Sequence, residues 1–168
     1  MLALVAKNRH DEMLAWLLRK GLWSPDQEDN RNCTPLLYAA EEGHKAVVKL
    51  LLHTGIPQDS MRDGLRTPPS YAAEKGYKAV VVLLLGSHAN PNLLDGEART
   101  PLSYAAEGGH EAVIKPLLDR DAQAWIKDSH DRVPLHYATT KGSGEAVRLR
   151  LEKRTQLDPS DSDIQLLV

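Results

Sequence analysis

The residues of this chain that could bind a metal ion are seven histidines and one cysteine, Cys33. Zinc sites take their ligands from closely spaced histidine, cysteine or carboxylate side chains. His44 and His110 each follow a glycine, and the other histidines are unclustered. We therefore expect no metal site and no cofactor. We interpret His44 and His110 as structural side chains that satisfy backbone groups where a helix starts.

The residues that could act as nucleophiles are equally sparse. Cys33 has no histidine at a short fixed spacing, and the sequence contains no GxSxG segment, glycine-rich phosphate loop or Walker pattern. We assign no catalytic residue and expect a protein that is not an enzyme. A catalytic site assembled from residues distant in sequence stays open as an alternative.

Charged and aromatic side chains recur instead at a fixed interval. Successive members of three columns are separated by 33 residues, so each column is a ladder if the chain is built of repeated units. The columns are Glu41, Glu74 and Glu107; Arg66, Arg99 and Arg132; and Tyr38, Tyr71, Tyr104 and Tyr137. We expect the tyrosines to be stacked and mostly buried, each with its hydroxyl group at a polar edge.

Whole segments of the sequence also recur at this interval of 33 residues. TPLLYAAEEGHKAVVKLLL starts at Thr34, TPPSYAAEKGYKAVVVLLL at Thr67 and TPLSYAAEGGHEAVIKPLL at Thr100, with a divergent copy, VPLHYATTKG, at Val133. In the three closely matching copies threonine caps a helix and proline takes its first position. Glycine ends that helix, and an apolar stripe forms a second one. The pattern predicts a row of helical hairpins.

This layout resembles the ankyrin repeat, whose motif reads T-P-L-H-x-A followed by Gly-His and an apolar helix. The resemblance implies an all-α, ankyrin-type helical solenoid of about five repeats, joined by β-turn or hairpin fingers. We place the units of this single domain at about 1–28 (partial), 29–61, 62–94, 95–127 and 128–159, with 160–168 as a tail that covers the end. His136, in the motif histidine position, is expected to be structural.

Composition narrows the class of protein. A net charge of −2 gives no field that favours nucleic acid or an anionic membrane. The longest apolar run, 79–85, is too short to span a bilayer. The single cysteine excludes an internal disulfide. We expect a soluble, cytoplasmic monomer that binds neither nucleic acid nor membranes, with a nuclear location left open.

Ankyrin repeats generally bind other proteins, so the resemblance implies an interaction scaffold. The Arg and Glu columns are expected on the side that forms the concave groove of the family. They are either a solvated face with weak ion pairs between repeats or part of a partner-binding surface with the variable fingertips. The candidate partner-binding residues are Arg31, Asp63, Arg66, Glu97, Arg99, His130, Arg132, Glu41, Glu74 and Glu107. A structural segment of a larger protein, and an enzyme or small-ligand binder using the groove, remain alternatives.

Some positions depart from the pattern. Pro116 lies inside a second helix, where it removes a hydrogen bond and clashes with the preceding turn, so we expect a kink or a shortened helix. His88 and Asp121 replace the helix-ending Gly55, although a left-handed backbone disfavours side chains there. We expect Trp16 and Trp23 to pack in the core or at its edge.

Overall fold

The computed structural model describes residues 2–8, 10–21, 23–61 and 66–141. In these ranges the regular structure is entirely helical, as predicted. Residues 142–168, where we expect the second helix of the last unit and the tail, lie outside the described residues. The helices are α1 (Leu2–Lys7), α2 (Asp11–Lys20), α3 (Pro35–Glu41), α4 (Lys45–Leu52), α5 (Pro68–Glu74), α6 (Lys78–Gly86), α7 (Pro101–Gly108), α8 (Glu111–Leu118) and α9 (Pro134–Lys141).

The first helix of each central unit begins at the predicted threonine. The Thr34 hydroxyl accepts a hydrogen bond from the Leu37 N–H at 3.2 Å, and the Thr100 hydroxyl accepts one from the Ser103 N–H at 3.2 Å. Each cap satisfies a backbone donor that has no partner inside the helix. The threonine caps predicted at these positions are confirmed.

Helix α9 begins without a threonine, because Val133 stands at that position. The Val133 N–H instead donates to Nδ1 of His136 at 3.1 Å. The imidazole therefore bonds the backbone at the start of the helix, which is the structural role expected of His136.

The turn between the two helices of a hairpin needs glycine for two reasons. Gly43 has a φ of 73°, which side chains other than glycine rarely adopt. A Cβ built on Gly43 would also lie 2.8 Å from the ring of Tyr77 in the next unit. The glycine therefore allows neighbouring units to approach closely.

His44 and His110 bond backbone groups, but not those of their own helix start. Nε2 of His44 lies 2.7 Å from the Lys7 carbonyl oxygen, and Nε2 of His110 lies 2.8 Å from that of Glu74. Each carbonyl belongs to the last turn of the first helix in the preceding unit. The imidazole thus connects two units, a long-range role that the sequence alone did not indicate.

The hairpins stack so that the helices form two layers. First helices contact first helices along α1, α3, α5, α7 and α9, and second helices contact second helices along α2, α4, α6 and α8. The apolar side chains between the layers are completely buried and include Leu36, Leu51, Leu84, Leu102 and Leu117. This arrangement is the helical solenoid that the repeats predicted.

Pro116 does not shorten its helix, so the shortened helix that we gave as one of two outcomes is wrong, whereas the kink stays a prediction. Helix α8 runs from Glu111 to Leu118 with Pro116 inside it, and it has the same eight residues as α4. Ile114 and Leu117 on either side of the proline are fully buried, which holds both turns in place. His88 and Asp121 adopt φ values of 71° and 63°, so packing also overrides the backbone preference at the glycine position.

The first unit exposes more apolar surface than its sequence predicted. Trp23 packs against the core, as expected, whereas Trp16 is 50% exposed, so of its two expected places the core is wrong. Leu4 and Met13 are 62% and 53% exposed. In the described chain this hairpin has a neighbouring unit on one side only, which leaves these side chains uncovered.

Candidate functional site

In three of the turns that lead into the first helices, which we call the fingers, the backbone is organised by an aspartate, half-buried at Asp29 and buried at Asp95 and Asp128. In the finger before α7, Oδ1 of Asp95 accepts hydrogen bonds from the N–H groups of Glu97 and Arg99, both at 2.9 Å. The Tyr104 hydroxyl donates to the other carboxylate oxygen. Asp95 is only 7% exposed. The finger backbone is therefore fixed to the first helix that follows it.

The same three bonds, which we call the aspartate clamp, recur in two other fingers. In each case the carboxylate accepts from the N–H groups two and four residues later and from a tyrosine hydroxyl nine residues later. Asp29 is bonded by Arg31, Cys33 and Tyr38, and Asp128 by His130, Arg132 and Tyr137. In the remaining unit this position is Arg62, which lies outside the described residues.

The clamp of the last described finger shifts the pKa values of both of its partners, Asp128 and Tyr137. Burial alone would raise the pKa of Asp128, but hydrogen bonds from the Tyr137 hydroxyl and from two backbone N–H groups lower it well below its ordinary value. Burial, reinforced by the hydrogen bond to aspartate, raises the pKa of Tyr137 to about 12. This clamp therefore stabilises a charged Asp128 and a neutral Tyr137 at neutral pH.

The tyrosine column is buried, as predicted. Tyr38, Tyr71, Tyr104 and Tyr137 are between 6% and 8% exposed. The hydroxyl groups of three of these tyrosines donate to the clamp aspartates. The predicted polar partner at the edge of the column is thus an aspartate of the same unit's finger.

The arginine column is inserted between these rings. The Arg66 guanidinium carbon lies 4.4 Å from the ring centroid of Tyr71 and 4.1 Å from that of Tyr104. Arg99 continues the series, 4.0 Å from the Tyr104 ring and 4.6 Å from the Tyr137 ring. A cation over an aromatic face is stabilised by about 2 kcal/mol when water is excluded. Cations and rings thus alternate along the first-helix layer.

This stack corrects one interpretation of the arginine column. Arg99 is only 8% exposed, so the idea that it lies on a solvated face is wrong. The guanidinium is buried because the units stack their tyrosine rings on both of its faces. The end of the described column is more open, since Arg132 contacts one ring, at 4.9 Å, and its side chain is 44% exposed.

Two members of the glutamate column, Glu74 and Glu107, pair with an arginine of their own unit, not between repeats as expected. Oε2 of Glu74 lies 2.9 Å from Nη2 of Arg66, and Glu107 forms the equivalent pair with Arg99. Both pairs join the base of a finger to the last turn of the helix that follows it. In the last unit Thr140 replaces the glutamate, and Nε of Arg132 instead lies 3.0 Å from Oδ2 of Asp128.

The fingertips carry the side chains that remain open to solvent. The pairs Asn30–Arg31, Gly96–Glu97 and Ser129–His130 are all exposed. Adjacent fingers are also joined, because the Ser129 N–H donates to the Glu97 carbonyl oxygen at 2.9 Å. The tips therefore present different side chains from a backbone that is held in one arrangement.

The structure divides the predicted binding residues by accessibility. Arg99 is buried, Glu41, Glu74 and Arg66 are half-buried, and Asp63 lies outside the described residues. The exposed members, which we call the tip surface, are Arg31, Glu97, Glu107, His130 and Arg132. The clamp aspartates were missed, although Asp29, Asp95 and Asp128 lie nine residues before a tyrosine of the column.

Two other kinds of site find no support in the part of the chain that the structure describes. It contains no group of three or more His, Cys, Asp or Glu side chains that could hold a metal ion. None of its helices has both the length and the apolar character needed to cross a bilayer.

Comparison with known proteins agrees with the geometry. A family model described as ankyrin repeats (3 copies) matches residues 1–62 and 70–162. A search of curated proteins found no match to this chain.

Proposed function

Because the chain belongs to the ankyrin-repeat family, whose members are generally protein-interaction modules, we propose that it binds another protein through its tip surface. The observation that carries the proposal is the contrast within each clamped finger. The clamp aspartate and tyrosine recur with the same hydrogen bonds in each clamped finger, whereas the side chains at the fingertips are exposed and differ.

The clamps favour binding because they fix the fingers before a partner arrives. A flexible loop loses conformational entropy when it binds, and that cost is smaller when its backbone is already ordered. In the finger before α7, three hydrogen bonds to Asp95 hold the backbone on both sides of Glu97. Contact by a partner then requires little more than ordering of the tip side chains.

The chemistry of the tips suggests a polar, charge-patterned interface. Arg31 and Arg132 carry positive charge, Glu97 and Glu107 carry negative charge, and His130 is exposed in the last described finger. Exposed ion pairs each contribute about 0–1 kcal/mol, so such a surface selects its partner by complementary charge more than by strength. We expect modest affinity for a partner whose charge pattern is complementary to that of the tip surface.

An enzymatic role receives no comparable support. The groups whose pKa values are most shifted, Asp128, Tyr104 and Tyr137, are engaged in the clamps. Catalytic groups with shifted pKa values instead face a cavity that a substrate can enter.

A charge-neutral set of substitutions tests the proposal. The tip variant combines Arg31→Glu, Glu97→Lys and His130→Ala, all at exposed positions. Its control combines Glu12→Lys with Lys45→Glu, exposed residues on second helices. Each protein is immobilised, and proteins captured from cell lysate are identified by mass spectrometry.

We expect the tip variant to lose specific partners that the wild type and the control retain, while all three show the same circular dichroism and urea unfolding. Equal capture by the tip variant and the control would contradict the proposal.

A further inference from the structure

A second surface lies on the opposite layer, where grooves run between neighbouring second helices. Three such grooves separate α2 from α4, α4 from α6, and α6 from α8, with volumes of about 490, 240 and 220 Å³. None of their lining residues belongs to a finger or a first helix. We call this surface the groove face.

The grooves repeat because equivalent residues line them. Each has two apolar walls, one formed by a leucine of the earlier helix and the other by an apolar residue of the later helix. These wall pairs are Leu18 with Leu50, Leu52 with Leu83, and Leu85 with Pro116. A pair of apolar walls therefore recurs on the groove face once per unit.

Two further apolar side chains on the second helices are exposed to solvent. Val82, on the third groove, is 44% exposed, whereas the equivalent residues of the flanking helices, Lys49 and Lys115, are lysines. Trp16 occupies the position equivalent to Leu50 and is 50% exposed. Contiguous exposed apolar surface on a folded protein often marks an interaction site.

Each groove also has a cationic side chain at its edge. Arg19, Lys49 and Arg120 line the first, second and third grooves in turn, and Asp119 is the one carboxylate among the lining residues of the three. Nε of Arg19 donates to the Ala15 carbonyl oxygen at 3.2 Å, and Nη1 of Arg120 donates to that of Leu85 at 2.6 Å. Both acceptors belong to lining residues, so these bonds hold each guanidinium beside its groove. A guanidinium has five N–H donors, so one such bond leaves others for a partner's carboxylate.

We infer that the groove face binds an amphipathic α-helix of another protein, with an apolar ridge flanked by acidic residues. Packed helices lie about 8–10 Å apart, and seven residues of an α-helix span about 10.5 Å. A helix that crosses the second helices therefore places one apolar side chain in each groove when these side chains recur every seventh residue. Acidic residues beside them would meet Arg19, Lys49 and Arg120.

A synthetic peptide of about three heptads provides the probe. It carries leucine at every seventh position and glutamate beside each leucine, with a fluorescent label for anisotropy. One control peptide has lysine in place of each glutamate, and another has the leucines moved to every fifth position. The full chain is titrated against each peptide at low salt.

Two substitutions on the protein are matched to this probe. Lys49→Glu changes an exposed residue at a groove, and Lys45→Glu changes an exposed residue on the same helix away from the grooves. Reversing a charge at the edge of an interface replaces attraction by repulsion, so we expect Lys49→Glu to weaken peptide binding about tenfold. We expect Lys45→Glu and the tip variant to bind like the wild type, and Val82→Ser to weaken binding by loss of apolar contact.

The inference is overturned if the wild type shows no saturable binding of the glutamate peptide, if either control peptide binds equally well, or if Lys49→Glu and Lys45→Glu have the same affinity. Sedimentation with vesicles of phosphatidylserine is run in parallel. Vesicle binding without peptide binding would assign the groove face to a lipid surface instead, and would also overturn the inference.

Discussion

Replacing Asp95 by alanine removes the acceptor that organises the finger before α7. Three donors lose their partner, namely the N–H groups of Glu97 and Arg99 and the Tyr104 hydroxyl. Asp95 is only 7% exposed, so water replaces the lost carboxylate poorly. A hydrogen bond of this kind contributes about 1 kcal/mol, so we expect Asp95→Ala to lower the free energy of unfolding by about 3 kcal/mol.

Two further substitutions divide that effect. Asp95→Asn keeps an oxygen that accepts from both N–H groups and presents an amide to the Tyr104 hydroxyl, so we expect a loss of about 1 kcal/mol. Tyr104→Phe removes only the hydroxyl and should also cost about 1 kcal/mol. The clamp therefore predicts that Asp95→Ala lowers the free energy of unfolding most, and that Asp95→Asn and Tyr104→Phe lower it less. This order follows from the number of hydrogen bonds that are lost and not from residue size.

Urea unfolding followed by circular dichroism measures the total effect, and hydrogen exchange at the amides of Glu97 and Arg99 measures it locally. In a repeat protein, single units can unfold separately when one interface between units is weakened, and urea unfolding would then be wrongly analysed as one transition. Hydrogen exchange at the two amides detects such local unfolding. An Asp95→Ala protein within about 0.5 kcal/mol of the wild type, with unchanged exchange at both amides, would refute the clamp.

The remaining predictions concern the arginine stack, pH and Pro116. We expect Arg99→Ala to lower the free energy of unfolding by about 2 kcal/mol and Arg132→Ala by less than about 1 kcal/mol, because Arg99 contacts two rings and Arg132 contacts one. Equal losses in urea unfolding would contradict the stack. The pKa of Asp128 is lower in the folded state than in the unfolded state, so its contribution to stability is full above the unfolded pKa and is lost as the pH falls towards the folded pKa. Urea unfolding measured below pH 5 should show this loss of stability, and Asp128→Asn should make the loss smaller. Tyr38 and Tyr137 have pKa values raised to about 12, so their contribution is full below pH 10 and is lost as pH rises from about 10 to 12; stability that stays constant over this range would exclude the effect. Pro116→Ala restores a helical N–H, so the free energy of unfolding should rise by about 1–3 kcal/mol; a decrease would show that proline is favoured there.

The elements of the fold follow from the sequence because their signals are local. Thr34 and Thr100 cap the helices whose starts they predict, and Gly43 lies in the left-handed turn expected of it. Each of these preferences is decided within a few residues of the chain. A repeated period then fixes how the hairpins follow one another.

The site is less predictable because its contacts join residues from different units. The sequence shows that Arg99 and Tyr137 belong to columns, but not that the guanidinium of one lies against the ring of the other. The burial of Arg99 depends on how closely the units stack. The clamp aspartates have a visible spacing, but Arg62 interrupts their column and hides it.

Pro116 and Trp16 show the limits of local rules in opposite ways. The proline clash was expected to kink or shorten helix α8, yet the helix keeps its full length, with Ile114 and Leu117 buried on either side of the proline. The size of Trp16 suggested burial, but its accessibility depends on a neighbouring unit that the described chain does not supply. In both cases packing between units decides the outcome.

Hydrogen–deuterium exchange of the full chain, alone and with a partner identified by capture, tests the central claim most directly. If the partner binds the tip surface, the amides at 30–31, 96–97 and 129–130 should gain protection, while those of α4, α6 and α8 remain unchanged. Protection confined to the second helices, with no change at the fingertips, would contradict the account and would locate partner binding on the groove face.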